Sequence, residues 1–162
     1  MRDLDALAAA LHESGLRVTP QRQMIYALLA GSGGHPTVDA VHEAVSQVLP
    51  TVSLRTVYQA LHDFAKLGEI RLVPLGGSSL RVDVRTDDHA HMVCVGCGQV
   101  QDVDVDPATF VPVGSERHGF TIDRTDVVFS GRCVPCRDAE RGSSATTADA
   151  PRSAPAAGHQ PA

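Results

Sequence analysis

Cysteine is scarce in this 162-residue chain, and none lies outside two C-x-x-C pairs, Cys94/Cys97 and Cys133/Cys136. That usage argues against a disulfide framework of the secreted kind and for a metal site. Long apolar runs are missing as well: nothing approaches the roughly 18 residues needed to span a bilayer. The opening stretch MRDLDALAAALHESG carries Asp3, Asp5 and Glu13 where a signal peptide needs an unbroken apolar core. A cytoplasmic protein without membrane contact is therefore expected. Positive charge is short too, with 14 Lys+Arg against 19 Asp+Glu and a formal net charge of −5. Residues 1–83 hold 7 basic against 8 acidic side chains, and residues 84–162 hold 7 against 11. Strong non-specific binding to nucleic acid is not expected, but a basic patch on the near-neutral first part, doubled by dimerisation, can still meet DNA.

What the first part does have is helical periodicity in four segments. Leu4, Leu7, Ala8 and Leu11 share a face, and Gly15 stops that helix. In TPQRQMIYALLAG, Thr19 caps, Pro20 takes the first helical position, Met24, Ile25, Leu28 and Leu29 turn inward, and Gly31 closes. TVDAVHEAVSQVL starts at Thr37 and buries Val38, Val41, Val45 and one of Val48 or Leu49. SLRTVYQALHDFAKLGEI starts at Ser53 and buries Leu54, Val57, Leu61 and Phe64, with Gly68 beyond its end. EIRLVPL and SLRVDVR then alternate around Gly76-Gly77 as a hairpin. Helices followed by such a hairpin predict a winged helix-turn-helix.

Beyond residue 88 the pattern changes to strands in HAHMVCV, QVQDVDV and TDVVFSGRC. The expected class is α+β: a winged-helix domain over 1–84, a hinge over 85–88, and a small α/β domain with a three-stranded sheet over 89–138. From Ala139 the chain is rich in Ala, Ser, Thr and Pro without apolar period, and a disordered tail is expected over 139–162.

Two C-x-x-C pairs with 35 residues between them can clamp one zinc tetrahedrally, each pair closing a knuckle turn. Gly98 and Pro135 suit such turns. A thioredoxin-type dithiol would open a helix beside a parallel-sheet pattern, which neither pair does. The histidines separate from the cysteines by parity. In a strand His89 and His91 share one face while Cys94 projects from the other, which disfavours one mixed site. Imidazoles with carboxylates suit iron(II), manganese(II) or nickel(II), whereas thiolates suit zinc. Asp83, Asp87, Asp88, Asp102 and Asp104 are the carboxylates near enough in sequence to take part. An H-x-H pair alone is equally at home as exposed or hydrogen-bonded structure.

RVTPQRQMIYALL, HPTVDAVHEAV, VSLRTVYQALHDFAKLGEI, HAHMVCVGCGQV and HGFTIDRTDVVFSGRCVPC resemble, in order and spacing, the ferric uptake regulator superfamily. The resemblance covers about residues 10–138 and implies a metal-activated homodimeric repressor. Carried over position by position, it implies a structural zinc on Cys94, Cys97, Cys133 and Cys136. It also implies a regulatory iron(II) or manganese(II) on His35, Asp83, His89, His91 and Asp102. Uptake members commonly have glutamates where this chain has Asp83 and Asp102, whereas peroxide-sensing members have aspartates, so the chain resembles the peroxide-sensing branch. In that branch iron(II) reacts with peroxide and oxidises ligand histidines, here at the positions of His35 and His89. The irregular DPATFVPVGSERHG, with Pro112 and Gly114, is similar to an actinobacterial subgroup controlling catalase-peroxidase genes. An additional family metal site needs a histidine and an acid where this chain has Thr125 and Ala90, so the resemblance implies that it is absent.

For double-stranded operator DNA, the expected contacts are Ser53, Arg55, Thr56 and Tyr58 at the start of the fourth helix, with Arg22 to phosphate and the wing residues Arg71 and Arg81 in support. His12, His42, His62, His118 and His159 are expected to have no metal role. Two other functions compete with a peroxide-responsive repressor: an uptake regulator with iron, zinc or nickel as corepressor, and a zinc hydrolase using His89 and His91. The hydrolase lacks a placed general base such as H-E-x-x-H, and a winged-helix half would have no purpose in it. A structural zinc module would leave the recognition helix unexplained.

Overall fold

Thr19, Thr37 and Ser53 each accept a hydrogen bond through the side-chain oxygen from the backbone N–H three residues on, and so cap three successive helices. The computed structural model describes residues 2–76, 79–110 and 112–145. Its helices are α1 (Leu4–Glu13), α2 (Pro20–Gly31), α3 (Val38–Ser46), α4 (Leu54–Lys66) and α5 (Val134–Ala145). Its strands are β1 (Arg71–Val73), β2 (Arg81–Asp83), β3 (Ala90–Cys94), β4 (Val100–Val103) and β5 (Val127–Gly131).

The first four helices pack their apolar faces into one core that includes Leu7, Leu11, Ile25, Leu29, Val41, Val45, Leu61 and Phe64. Gly15 and Gly68 follow α1 and α4 at φ 71° and 72°, the left-handed conformation that ends a helix cheaply only at glycine. The inward face of α2 differs from expectation: Tyr26 is buried, while Met24 and Leu28 are only partly covered. Tyr26 packs edge-on against Phe64 and donates its hydroxyl to Glu69, which also pairs with Arg2. Burial, then the Glu69 carboxylate, raises the phenol above its usual range. Leu54, expected inside, is exposed because the first turn of α4 extends beyond the core. Leu49, rather than the exposed Val48, packs on the core after α3.

β1 and β2 form the antiparallel wing; part of its tip, including Gly77, lies outside the described residues. The connection before α3 is stitched to β2 by Val82 N–H to Pro36 O (2.8 Å) and Val38 N–H to Leu80 O (3.0 Å). The second sheet has the order β4-β3-β5, with β4 antiparallel and β5 parallel to β3. A small cluster of Val73 and Leu75 with Val93 joins the wing to this sheet. Between β4 and β5 the chain makes two short 3₁₀ turns, Pro107–Phe110 and Gly114–Arg117, and no longer helix among the described residues. The helix α5 corrects one expectation. It continues through Ala145, so residues 139–145 are helical where disorder was expected, and the remainder of the expected tail, 146–162, lies outside the described residues. Missing apolar periodicity reports missing burial, not missing helix propensity. This polar helix is held at its start, where the Cys133 N–H donates to Cys94 Sγ at 3.3 Å.

Candidate metal centres

The four thiols meet at one end of the second sheet. Cys94 ends β3, Cys97 follows in the turn, and Cys133 and Cys136 flank the start of α5. Contrary to expectation, this second pair does open a helix, after a strand parallel to β3, and what sets it apart from a lone dithiol is that all four sulfurs converge. One sulfur from each lies within 4.8 Å of the others, with Cys94 to Cys133 at 3.5 Å and Cys97 to Cys133 at 3.7 Å. Tetrahedral zinc with bonds of about 2.3 Å places its sulfurs at about this separation. The turn closes through Gly98, at φ 73°, whose N–H bonds Cys94 O at 2.8 Å. Gly96, not singled out by the sequence, is the tighter constraint: a Cβ there would lie 3.0 Å from Cys136 Sγ. The backbone N–H groups of Cys133 and then Cys97 pull Cys94 down to about 6. Cys136 is pushed up to about 12 by Cys133 first and then by Cys94 and Cys97. Cys97 is pulled down by the backbone at Gln99 but ends above its usual value through Cys94 and Cys133. The backbone thus favours the thiolate at Cys94, while Cys97 and Cys136 are held toward the thiol.

A second, separate cluster lies where the two halves of the chain meet. His35 comes from the segment between α2 and α3, Asp83 from the end of β2, His89 from the residue just before β3, His91 from β3, and Asp102 from β4 directly opposite His91 in the antiparallel register. His35, Asp83, His89 and His91 offer ligand atoms within 4.8 Å of one another and are all buried around the site. His35 Nε2 is 2.9 Å from Asp102 Oδ1 and 3.7 Å from Asp83 Oδ1. His89 Nε2 is 3.2 Å from Asp83 Oδ2 and 3.1 Å from His91 Nε2. His91 Nε2 is 3.5 Å from Asp83 Oδ2 and 3.9 Å from Asp102 Oδ1. These are the edge lengths of a coordination polyhedron whose bonds are about 2.1 Å.

The donor chemistry fits a cation. His89 Nδ1 lies 2.9 Å from the Asp87 carbonyl oxygen; a carbonyl only accepts, so Nδ1 carries the proton and the Nε2 lone pair faces the cluster. His35 Nδ1 and Nε2 and Asp83 Oδ2 are buried without a hydrogen-bond partner, a costly state that coordination relieves at Nε2 and Oδ2. Asp83 Oδ1 is fixed by the Arg85 N–H at 2.8 Å. Burial first, then the facing His89 and His35, holds His91 below the usual imidazole range, with Asp83 and Asp102 opposing. A neutral ring is the ligating form.

A family model described as the ferric uptake regulator family matches residues 13–129. The chain belongs to the ferric uptake regulator family. Among its relatives is the peroxide-responsive repressor PerR of Staphylococcus aureus strain Mu50, 31% identical over 137 residues, covering 84% of this chain and 93% of the relative. The structure of the Helicobacter pylori ferric uptake regulator, described as having three functional metal-binding sites, superposes with a TM-score of 0.67 at 21% identity, over 83% of this chain and 91% of that one. That of the Pseudomonas aeruginosa ferric uptake regulator with manganese gives 0.58 at 25%, over 78% and 96%. The winged-helix and second-sheet architecture is that of the family.

The expected DNA contacts divide. Ser53, Arg55 and Thr56 are exposed at the start of α4 and Tyr58 is half-buried, but the Ser53 hydroxyl is engaged by the Thr56 N–H and hydroxyl. Arg22 forms an ion pair with the buried Asp63 and bonds Arg17 O, which is a structural commitment. Arg71 pairs with Asp88 at 3.0 Å. Arg81 points inward, to the carbonyls of His35 and Gly98. The sequence shows charge but not direction, and these three side chains turn toward partners that adjoin them only in the folded chain.

Proposed function

We propose that this family member is a metal-dependent, DNA-binding transcriptional repressor, acting as a homodimer. In this reading Cys94, Cys97, Cys133 and Cys136 hold a structural zinc. His35, Asp83, His89, His91 and Asp102 hold a regulatory iron(II) or manganese(II). The observation that carries the reading is the convergence of His35 from the helical half with His89, His91 and Asp102 from the strand half, around orphaned buried nitrogen and oxygen atoms. Holding these ligands together fixes the orientation of α4 relative to the second sheet. In a dimer that orientation sets the spacing of two recognition helices against two half-sites, so metal affinity and DNA affinity are linked.

Dimerisation through the second half is supported by its surface. Met92, Val95, Phe110, Val113, Phe120, Ile122, Val128, Phe129 and Val134 are all at least one-third exposed, apolar side chains that a partner subunit would cover. Arg55, Thr56 and Tyr58 are the proposed DNA-facing residues, with Ser53 holding their helix terminus. The relatives are named as regulators, which gives the hydrolase reading no support.

Peroxide is the proposed signal, because Asp83 and Asp102 are aspartates as in the peroxide-sensing branch and a peroxide-responsive relative is 31% identical. Bound iron(II) would supply the reduction of peroxide that oxidises an adjoining imidazole. His35 and His89 are the rings placed to take that oxidation, and losing either as a ligand would free the two halves from one another. The test loads the reduced protein with iron(II) or manganese(II), adds peroxide, and follows operator binding together with the mass of peptides containing His35 and His89. The iron form should lose DNA binding and gain oxygen on one of these peptides, and the manganese form should do neither. An iron form that keeps its DNA affinity with unmodified peptides, yet loses it on chelation, would make the protein a metal-supply regulator instead.

A further inference from the structure

Arg81 was expected on the DNA-facing wing, yet its guanidinium is turned inward. Nη1 donates to the backbone carbonyl of His35 at 2.9 Å, and Nη2 donates to the backbone carbonyl of Gly98 at 3.0 Å. Its Nε is buried without a partner. One side chain on β2 therefore spans from a proposed ligand of the regulatory centre to the turn that carries Cys94 and Cys97. The same strand is stitched to the His35 segment on either side of Arg81, through Leu80 O and Val82 N–H, and Thr37 bridges Arg81 directly. His35 Nδ1 has no hydrogen-bond partner, and Nε2 faces only Asp102 and Asp83 of the centre itself, so no hydrogen bond from outside the centre fixes the ring. The backbone carries that task, and the Arg81 fork is a side-chain hold on that backbone. A planar guanidinium suits this task because its two arms keep a fixed separation; a lysine can satisfy only one carbonyl at a time with comparable geometry.

We propose that Arg81 is a positioning residue of the regulatory centre, which braces His35 against the zinc knuckle. Arg81 touches no ligand atom, and its effect is exerted through the His35 backbone. The proposal rests on the assignment of His35 to that centre, so its test must separate the two claims.

The experiment measures manganese(II) affinity of the full-length, zinc-replete protein by the paramagnetic resonance signal of free manganese. The variants are Arg81→Gln, Arg81→Lys, His35→Ala and the double variant His35→Ala/Arg81→Gln, with zinc content determined on each. Outer partners of metal ligands typically contribute about 10–100-fold to metal affinity. Arg81→Gln should therefore weaken manganese binding on that scale while retaining one zinc per chain, and Arg81→Lys should fall between it and the parent. In the His35→Ala background, Arg81→Gln should cause no further loss, because its route to the metal is already gone. A general loosening of the fold would lower affinity in both backgrounds, and that result would overturn the proposal. Undiminished affinity in Arg81→Gln, or in Arg81→Lys should the glutamine variant not fold, would overturn it while leaving the regulatory centre intact. Undiminished affinity in His35→Ala would overturn both.

Discussion

His35 Nε2 lies 2.9 Å from Asp102 Oδ1, a contact that joins the helical half of the chain to its strand half. Two acidic side chains and three imidazoles gather there, and the four cysteines gather elsewhere. The two clusters have different donor chemistry and share no ligand residue, which makes them separable by mutation.

Cys97→Ser is expected to lose zinc and the dimer. His91→Ala is expected to keep one zinc per chain and the dimer, and to lose metal-dependent DNA binding by about 5–150-fold, the range of ordinary allosteric coupling. Zinc analysis, sedimentation and operator binding on the two variants check this. Zinc loss in the His91 variant would show that the clusters are one system.

Zinc uptake should release a number of protons that depends on pH in a predictable direction. Cys94 has its pKa lowered to about 6, while Cys97 and Cys136 lie above their usual value. Near pH 7.5 Cys94 is already a thiolate and contributes no proton, so fewer than four protons leave per zinc. As pH falls through about 6, Cys94 becomes protonated and the number rises by up to one. Calorimetry in buffers of different ionisation enthalpy reads the count; four protons at pH 7.5 would contradict the backbone stabilisation of Cys94.

Gly96→Ala is expected to weaken zinc binding by about tenfold or more, on the scale of changes next to metal ligands. The added Cβ would lie 3.0 Å from Cys136 Sγ and 3.1 Å from its Cβ, so Cys136 would have to give by a few tenths of an ångström, away from the position in which its sulfur meets the other three. Competition against a zinc chelator measures the change, and regulatory manganese binding serves as the internal control.

Arg22→Ala should act on stability before it acts on DNA. Asp63 is buried with Arg22 and Gln59 as its partners, and removing one member of a buried pair commonly costs about 3–5 kcal/mol. Urea denaturation should show this loss, while the salt dependence of operator binding stays as in the parent. A shallower salt slope with unchanged stability would instead make Arg22 a phosphate contact.

Local chemistry made much of the molecule legible in advance. Cap residues followed by apolar periodicity placed α2, α3 and α4, because N-caps and burial faces are set within one or two helical turns. The alternation of HAHMVCV placed His91 and Cys94 on opposite faces of β3, since side-chain direction in a strand repeats every two residues. That parity disfavours one mixed site and leaves the role of the histidine pair open. The family resemblance then implied which distant residues, His35 among them, accompany His89 and His91.

Only the tertiary structure decided where the charges point and which backbone atoms they hold. Arg22, Arg71 and Arg81 read identically as surface cations, yet each is committed to a neighbour far along the chain. The requirement for glycine at position 96 likewise depends on where Cys136 arrives. The polar helix α5 runs past the expected order boundary, and its start is tied to the cysteine turn through Cys133 N–H and Cys94 Sγ, a constraint that apolar periodicity does not register. The sequence by itself determined element type, strand parity and donor chemistry, which are short-range properties. The partners of a long, flexible, charged side chain depend on packing between segments distant in sequence, and that became visible only in the folded chain.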